Sequence, residues 1–195
     1  MKFYESGDSS KPVIFLFPGT CCLYSSFDHV LDGLHSYFYT VTVSYDGFAP
    51  NEKTEFYSME DECEKIEQEI RKKHGGSIKA AYGCSLGGSF VSLLIQRKRI
   101  HIEHGIIGSS DMDEAGNLVA KIQASMVVPF MYKMVHTGAL PKFMQKKLNK
   151  TDAAKKELYN GFLNMFGIGK GGSPWITKQS IYNQFYSDLV TKVQH

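Results

Sequence analysis

One short stretch, Gly83-Cys84-Ser85-Leu86-Gly87 followed by Gly88, constrains the fold of this chain more than any other. It lies between an apolar run at residues 78–82 and a segment in which Phe90, Leu93 and Leu94 recur at helical spacing. A Gly-x-Ser-x-Gly between strand and helix makes a tight elbow that lifts the serine hydroxyl above the sheet edge. The glycines answer crowding, because side chains two positions either side of the serine would collide with neighbouring backbone. The pattern alone recurs by chance; what gives it weight is a strand before it and a helix after it. The alternative is an ordinary Gly-Ser turn that caps a helix.

Length and composition set the frame. With 195 residues, 43% of them apolar, the chain can bury a real core, and one domain is expected. The 22 basic and 20 acidic side chains nearly cancel, so no broad field points to nucleic acid. Lys142, Lys146, Lys147 and Lys150 cluster at helical spacing and read as a solvated face. No uninterrupted apolar run reaches the roughly 18 residues of a membrane span, and residues 1–11 lack the apolar core of a secretory signal. Cys21, Cys22, Cys63 and Cys84 suit reduced thiols better than a disulfide framework, which predicts a cytoplasmic setting.

Along the chain, residues 13–17 form a dense apolar block ended by Pro18-Gly19-Thr20, and Ser25 with Asp28 resembles a helix-opening box. Val41, Val43 and Tyr45 alternate with threonine and serine, which predicts a strand. Ser58 caps a helix whose first turn is acidic (Glu60, Asp61, Glu62), whose last is basic (Arg71, Lys72, Lys73), and which Gly75 stops. Residues 102–107 make a further strand that ends near Asp111. Strands alternating with helices predict a mostly parallel sheet covered on both faces, with chemistry beyond the carboxyl ends of the strands. Thr20, Asp46, Ser85 and Asp111 all follow such ends.

From Asn117 strands give way to helical pieces: 117–136, bent or broken near Pro129, then 140–149 and 152–166. Gly167 to Gly172 reads as a connector, and Ser173-Pro174 as the cap of a last helix with Ile181, Phe185 and Leu189 on one stripe. The chain thus divides into a core at 1–116 and a helical region at 117–195. The many methionines and aromatics of the second part suit a helical core, a dimer face, or a mobile cap over an apolar pocket. Two other patterns resemble functional motifs without completing them. Gly169-Lys170-Gly171 lacks the residues of a phosphate loop, and His101, Glu103 and His104 fall on different faces of a strand and form no metal site.

The order of strand, Pro18-Gly19-Thr20, strand, helix, elbow, strand and helical insert resembles the α/β-hydrolase superfamily, closely over residues 12–111 and only in kind beyond. The resemblance implies an incomplete α/β-hydrolase sheet with a cap. It also implies a serine hydrolase of carboxylic esters or thioesters, with Ser85 as nucleophile and the N–H groups of Thr20 and Leu86 as the oxyanion hole. Gly83 and Gly87 shape the elbow. Acyl transfer by serine implies no cofactor and no metal, and the partner is a small acyl ester. In the superfamily the turn after the first of these strands often carries histidine where this chain has Pro18; the turn contributes backbone groups, so the change is tolerable.

The pattern departs more seriously at the histidine that follows the last strand. Downstream of Ser85 stand His101 and His104, at the wrong end of the sheet, His136 in the helical region, and His195 at the terminus. A chain lacking its final strands, or a compact variant that recruits His136 or His195, would each account for this. Asp111 or Asp113 could supply the acid. The expectation is an impaired esterase-type site, with a non-catalytic binding protein on the same scaffold as the alternative. An unpaired sheet edge or the cap would also favour a homodimer.

Overall fold

The computed structural model describes residues 1–110 and 114–192. Five strands form one sheet: β1 (Lys2–Ser6), β2 (Val13–Phe17), β3 (Tyr39–Ser44), β4 (Ser77–Cys84) and β5 (His101–Gly108), in the spatial order β1-β3-β2-β4-β5. β2, β3, β4 and β5 pair in parallel, and β1 runs antiparallel along β3. The mostly parallel α/β sheet is as the sequence predicts; β1 is not, and it adds an edge strand to a segment that reads as merely polar. Phe3 packs edge-on against Phe15, 6.2 Å between centroids, and Tyr4 stacks on Tyr24.

Alternation along β2 divides the core into two. Phe15 and Phe17 face α2 (Met59–His74) and α3 (Leu86–Arg97), while Ile14 and Leu16 join Ala80 beneath Leu31 and Leu34 of α1 (Asp28–His35). On the first face Tyr45 and Phe17 both stack on Phe90, with ring centroids 4.7 and 6.4 Å apart. Each fully buried aromatic of this kind contributes roughly 2–3 kcal/mol. α2 is capped as its sequence requires: the Ser58 side chain accepts from the Asp61 N–H at 3.1 Å, and Gly75 ends it in the left-handed conformation. By contrast Ser25 opens no capping box. The chain enters α1 through a 3₁₀ turn, Tyr24–Phe27, with no side-chain cap.

The remaining helices are α4 (Asn117–Thr137), α5 (Lys142–Asn149), α6 (Ala153–Asn164) and α7 (Lys178–Val190). α4 continues through Pro129 as one helix, without the break that is one of the two outcomes the proline suggests. It packs on α7, and Val128, Val135, Ile176 and Ile181 join the same core cluster as the sheet. Lys121 and Lys133 interrupt its apolar run, yet α4 is long and apolar enough to cross a membrane, with 21 residues and a mean hydropathy of 1.2. α5 and α6 form a hairpin in which no residue is buried. That hairpin closes at its base: the Gly169 N–H donates to the Gly138 carbonyl at 2.9 Å, and the Ser173 N–H to the Val135 carbonyl at 2.7 Å. Ser173 is therefore buried at this crossing rather than capping the last helix; Thr177 is the cap of α7, accepting from the Ser180 N–H at 3.0 Å.

Candidate active site

β4 lies between β2 and β5, so its carboxyl end has the turn after β2 on one side and the end of β5 on the other. Ser85 leaves β4 with φ +54° and ψ −124°, and Leu86 begins α3 at once. That backbone is costly for a non-glycine residue, of order 1–3 kcal/mol, and persists only where the surroundings over-determine it. Here they do. A Cβ on Gly83 would overlap the Gly87 carbonyl, and one on Gly87 would overlap the Phe17 carbonyl, so neither position admits a side chain. The Ser85 N–H donates to the Gly108 carbonyl at 2.8 Å, and its own carbonyl accepts from Gly88 at 2.7 Å. Ser85 itself is exposed while residues 86–91 are buried.

The turn after β2 lies against this elbow. A methyl added to Gly19 would stand 3.2 Å from the Cys84 carbonyl oxygen and 3.5 Å from the Ser85 Cβ. Thr20 follows directly, and the turn closes with the Cys22 N–H donating to the Gly19 carbonyl at 3.0 Å. Leu86 opens a helix, so its N–H is among the four that the helix leaves unpaired. The structure thus brings Thr20, Gly83, Ser85, Leu86 and Gly87 together. Asp111 and Asp113 lie outside the described residues, as does His195.

Among the described residues no histidine hydrogen-bonds the Ser85 hydroxyl. His101 opens β5 opposite Ser77, at the far end of the sheet from the elbow, and His104 pairs with Ala80 in mid-strand, short of the carboxyl end at Gly108. His136, near the end of α4, packs on Tyr132 with ring centroids 5.0 Å apart, and its Nδ1 is buried without a partner. The thiols at the turn do not compete as nucleophiles. Burial pushes Cys22 up to about 12, and drives Cys21 well above the ordinary thiol range.

Sequence reasoning missed what holds the turn. The Tyr45 hydroxyl donates to the Pro18 carbonyl at 3.0 Å, and the Cys21 N–H donates to Gln184 Oε1 on α7 at 2.9 Å. Gln184 belongs to a polar stripe: Ser180 Oγ accepts from the Phe56 N–H at 3.2 Å, and Ser187 Oγ from the Met59 N–H at 2.8 Å. All three side chains are buried. The spacing 180, 184, 187 is that of one helical face, but its residues are polar, and apolar periodicity is the signal that marks a buried face in a sequence.

Beside the turn a cleft of about 490 Å³ opens between Ser25, Ser26 and His29 on one side and Leu158, Phe162, Met165 and Lys170 on the other. The Leu23 N–H donates to the Met165 carbonyl at 3.0 Å, which ties the end of the turn to the wall of that cleft. Elsewhere, Asp46, Asp61 and Glu62 hold carboxylate oxygens within 4.8 Å of one another after β3. The Lys65 ammonium pairs with all three, at 2.5 Å from Asp46, 3.1 Å from Glu62 and in closest contact with Asp61. Burial lifts the Glu62 carboxyl to about 7 against the pull of Lys65.

By sequence, no family model and no curated protein matches this chain. Its structure does match solved ones. An α/β-hydrolase family protein from Desulfitobacterium hafniense superposes with a TM-score of 0.71 at 16% identity, over 97% of this chain and 72% of that one. A thermophilic esterase from Thermogutta terrifontis gives 0.70 at 13%, over 96% and 66%. MenH from S. aureus gives 0.67 at 13%, over 97% and 72%. The fold is therefore the α/β-hydrolase fold. At these identities the likeness speaks for architecture, and chemistry has to be argued from the site.

Proposed function

We propose that this chain is a serine hydrolase acting on carboxylic esters or thioesters, with Ser85 as its nucleophile. The observation that carries the reading is the backbone of Ser85: a non-glycine residue at positive φ, exposed, between β4 and the helix that follows it. In this reading the Ser85 oxygen bonds to the acyl carbon as its proton passes to water and on to the departing oxygen or sulfur, and the carbonyl π pair moves onto the carbonyl oxygen. The N–H groups of Thr20 and Leu86 hold that charge. Collapse expels the alcohol or thiol, and water then releases the acid from the serine. The cleft lined by Leu158, Phe162 and Met165 is apolar enough to take an acyl group. Esterases and an enol-lactonase among the solved structures of this fold favour acyl chemistry.

Asp111 is the proposed acid by its place after β5. No described base reaches Ser85, and loss of the triad histidine lowers turnover on the order of 10⁶-fold, leaving about 10³–10⁴ over water. Slow turnover is therefore expected of this chain. A fluorophosphonate probe tests the reading: covalent mass on Ser85, absent in Ser85→Ala, supports it. A folded sample that stays unlabelled favours the second reading, a binding protein that keeps the scaffold without the chemistry.

A further inference from the structure

The turn between Gly19 and Cys22 is held in a conformation its own sequence disfavours. Cys21 has φ +61°, a left-handed backbone that glycine adopts freely and cysteine does not. It occupies the third position of a turn closed by the Gly19 carbonyl and the Cys22 N–H. Left-handed backbone at that position is the mark of a turn whose middle peptide, here Thr20–Cys21, is flipped relative to the common form. The orientation of that peptide needs an outside partner. Gln184 supplies it: its Oε1 accepts the Cys21 N–H across 163 positions of sequence, and the side chain is fully buried.

The cost of this arrangement is visible on the same side chain. The Cys21 N–H can bond only to the carbonyl end of the amide, so the Nε2 end faces inward, where it is buried and has no partner among the described residues. An unmade buried bond costs about 1–3 kcal/mol. A leucine or methionine in that place would pack without it. The amide is imperfectly satisfied, and the group it does satisfy lies one residue from Thr20.

We propose that Gln184 is a positioning residue: by holding the Cys21 N–H, α7 anchors the turn at the Thr20 Cα, from which the Thr20 N–H of the preceding peptide extends, and so keeps that N–H at the oxyanion position above Ser85. The inference rests on the Ser85 reading. It assigns to a helix far along the chain, on the other side of the α5–α6 hairpin, a share in the geometry of the elbow.

The test uses the full chain and phenylboronic acid, which forms a tetrahedral adduct on a serine oxygen held by the same donors, followed by calorimetry and boron NMR. Wild type is expected to bind, and Ser85→Ala to lose binding. Gln184→Met removes the acceptor at similar volume and should weaken binding about tenfold, less than loss of a whole oxyanion donor. Adding Cys21→Gly to that variant should restore affinity while lowering Tm further, since glycine needs no outside partner to hold the turn; a merely structural role would show no such rescue. Undiminished, Ser85-dependent binding by folded Gln184→Met overturns the proposal and leaves the Ser85 reading intact. If Gln184→Met does not fold, Gln184→Glu decides, because it keeps the acceptor and burial keeps it protonated. Affinity should then hold, and a tenfold loss overturns the proposal. Wild type that neither binds the boronate nor takes the fluorophosphonate at Ser85 ends both readings together.

Discussion

α2 and α7 both pack into the main core, and they do so by opposite means. α2 presents Cys63, Ile66 and Ile70, an apolar stripe flanked by charge, to the sheet. α7 presents Ser180, Gln184 and Ser187, and these take up backbone N–H groups of Phe56, Cys21 and Met59 that no strand or helix serves. The first contact excludes water and tolerates small shifts. The second is directional, so it sets the position of the loops it touches. The teaching is that the scaffold of this site is held by the hydrophobic effect, while the loops around the site are held by individual hydrogen bonds.

The comparison can be broken first at the elbow itself. Gly87→Ala forces a Cβ into the Phe17 carbonyl, and should cost more than about 4 kcal/mol, at the exceptional end for a point change. Urea denaturation followed by circular dichroism reads it. On the apolar side, Ile66→Ala should lose about 3 kcal/mol in the same assay, with a cavity left behind. On the polar side, Ser187→Ala orphans the Met59 N–H and should cost about 1–2 kcal/mol. Its more telling effect is local: faster amide hydrogen exchange at Met59 with little change at Ile66. Equal exchange at both positions would erase the distinction between the two helices.

The smallest expected effect concerns Glu62. Its carboxyl is raised to about 7 in the folded chain, chiefly by burial, against an ordinary value of 4.5. Between those values the folded state binds the extra proton. Stability from this group is thus present at low pH and falls as pH rises toward and through about 7. A decline is expected between pH 5 and 7, flattening above that, with the Lys65 pairing already holding the carboxyl lower than burial alone would. Melting curves for Glu62→Gln, which keeps an acceptor for the Asp46 N–H, should be flatter over that range.

Features that repeat a simple physical period were legible in the sequence. β2, β3, β4 and β5, the Ser58 cap and the Gly75 stop all follow from apolar alternation or capping chemistry. The elbow was legible because Gly83 and Gly87 are demanded by contacts that no other residue could make. β1 was not legible, since an antiparallel edge strand is half solvated and Lys2, Tyr4 and Ser6 dilute its pattern. The cap of α7 was misplaced on Ser173 because Ser-Pro is a good local signal. Tertiary packing overrode it, burying Ser173 at the crossing with Val135 and leaving Thr177 to do the capping. Gln184 was invisible for a deeper reason: its partner is a backbone amide, and amides carry no signature in a string of side chains.

The pairing of Gly169 with Gly138 means that the path leaves the body and comes back to nearly the same point. Residues 139–168 therefore behave as an appendix on a closed ring. Insertions there stretch only that ring, and each doubling of its length adds only about 0.6 kcal/mol of closure entropy. Such a segment is free to be lengthened, shortened or exchanged while the strands and the bend that carries Ser85 stay as they are.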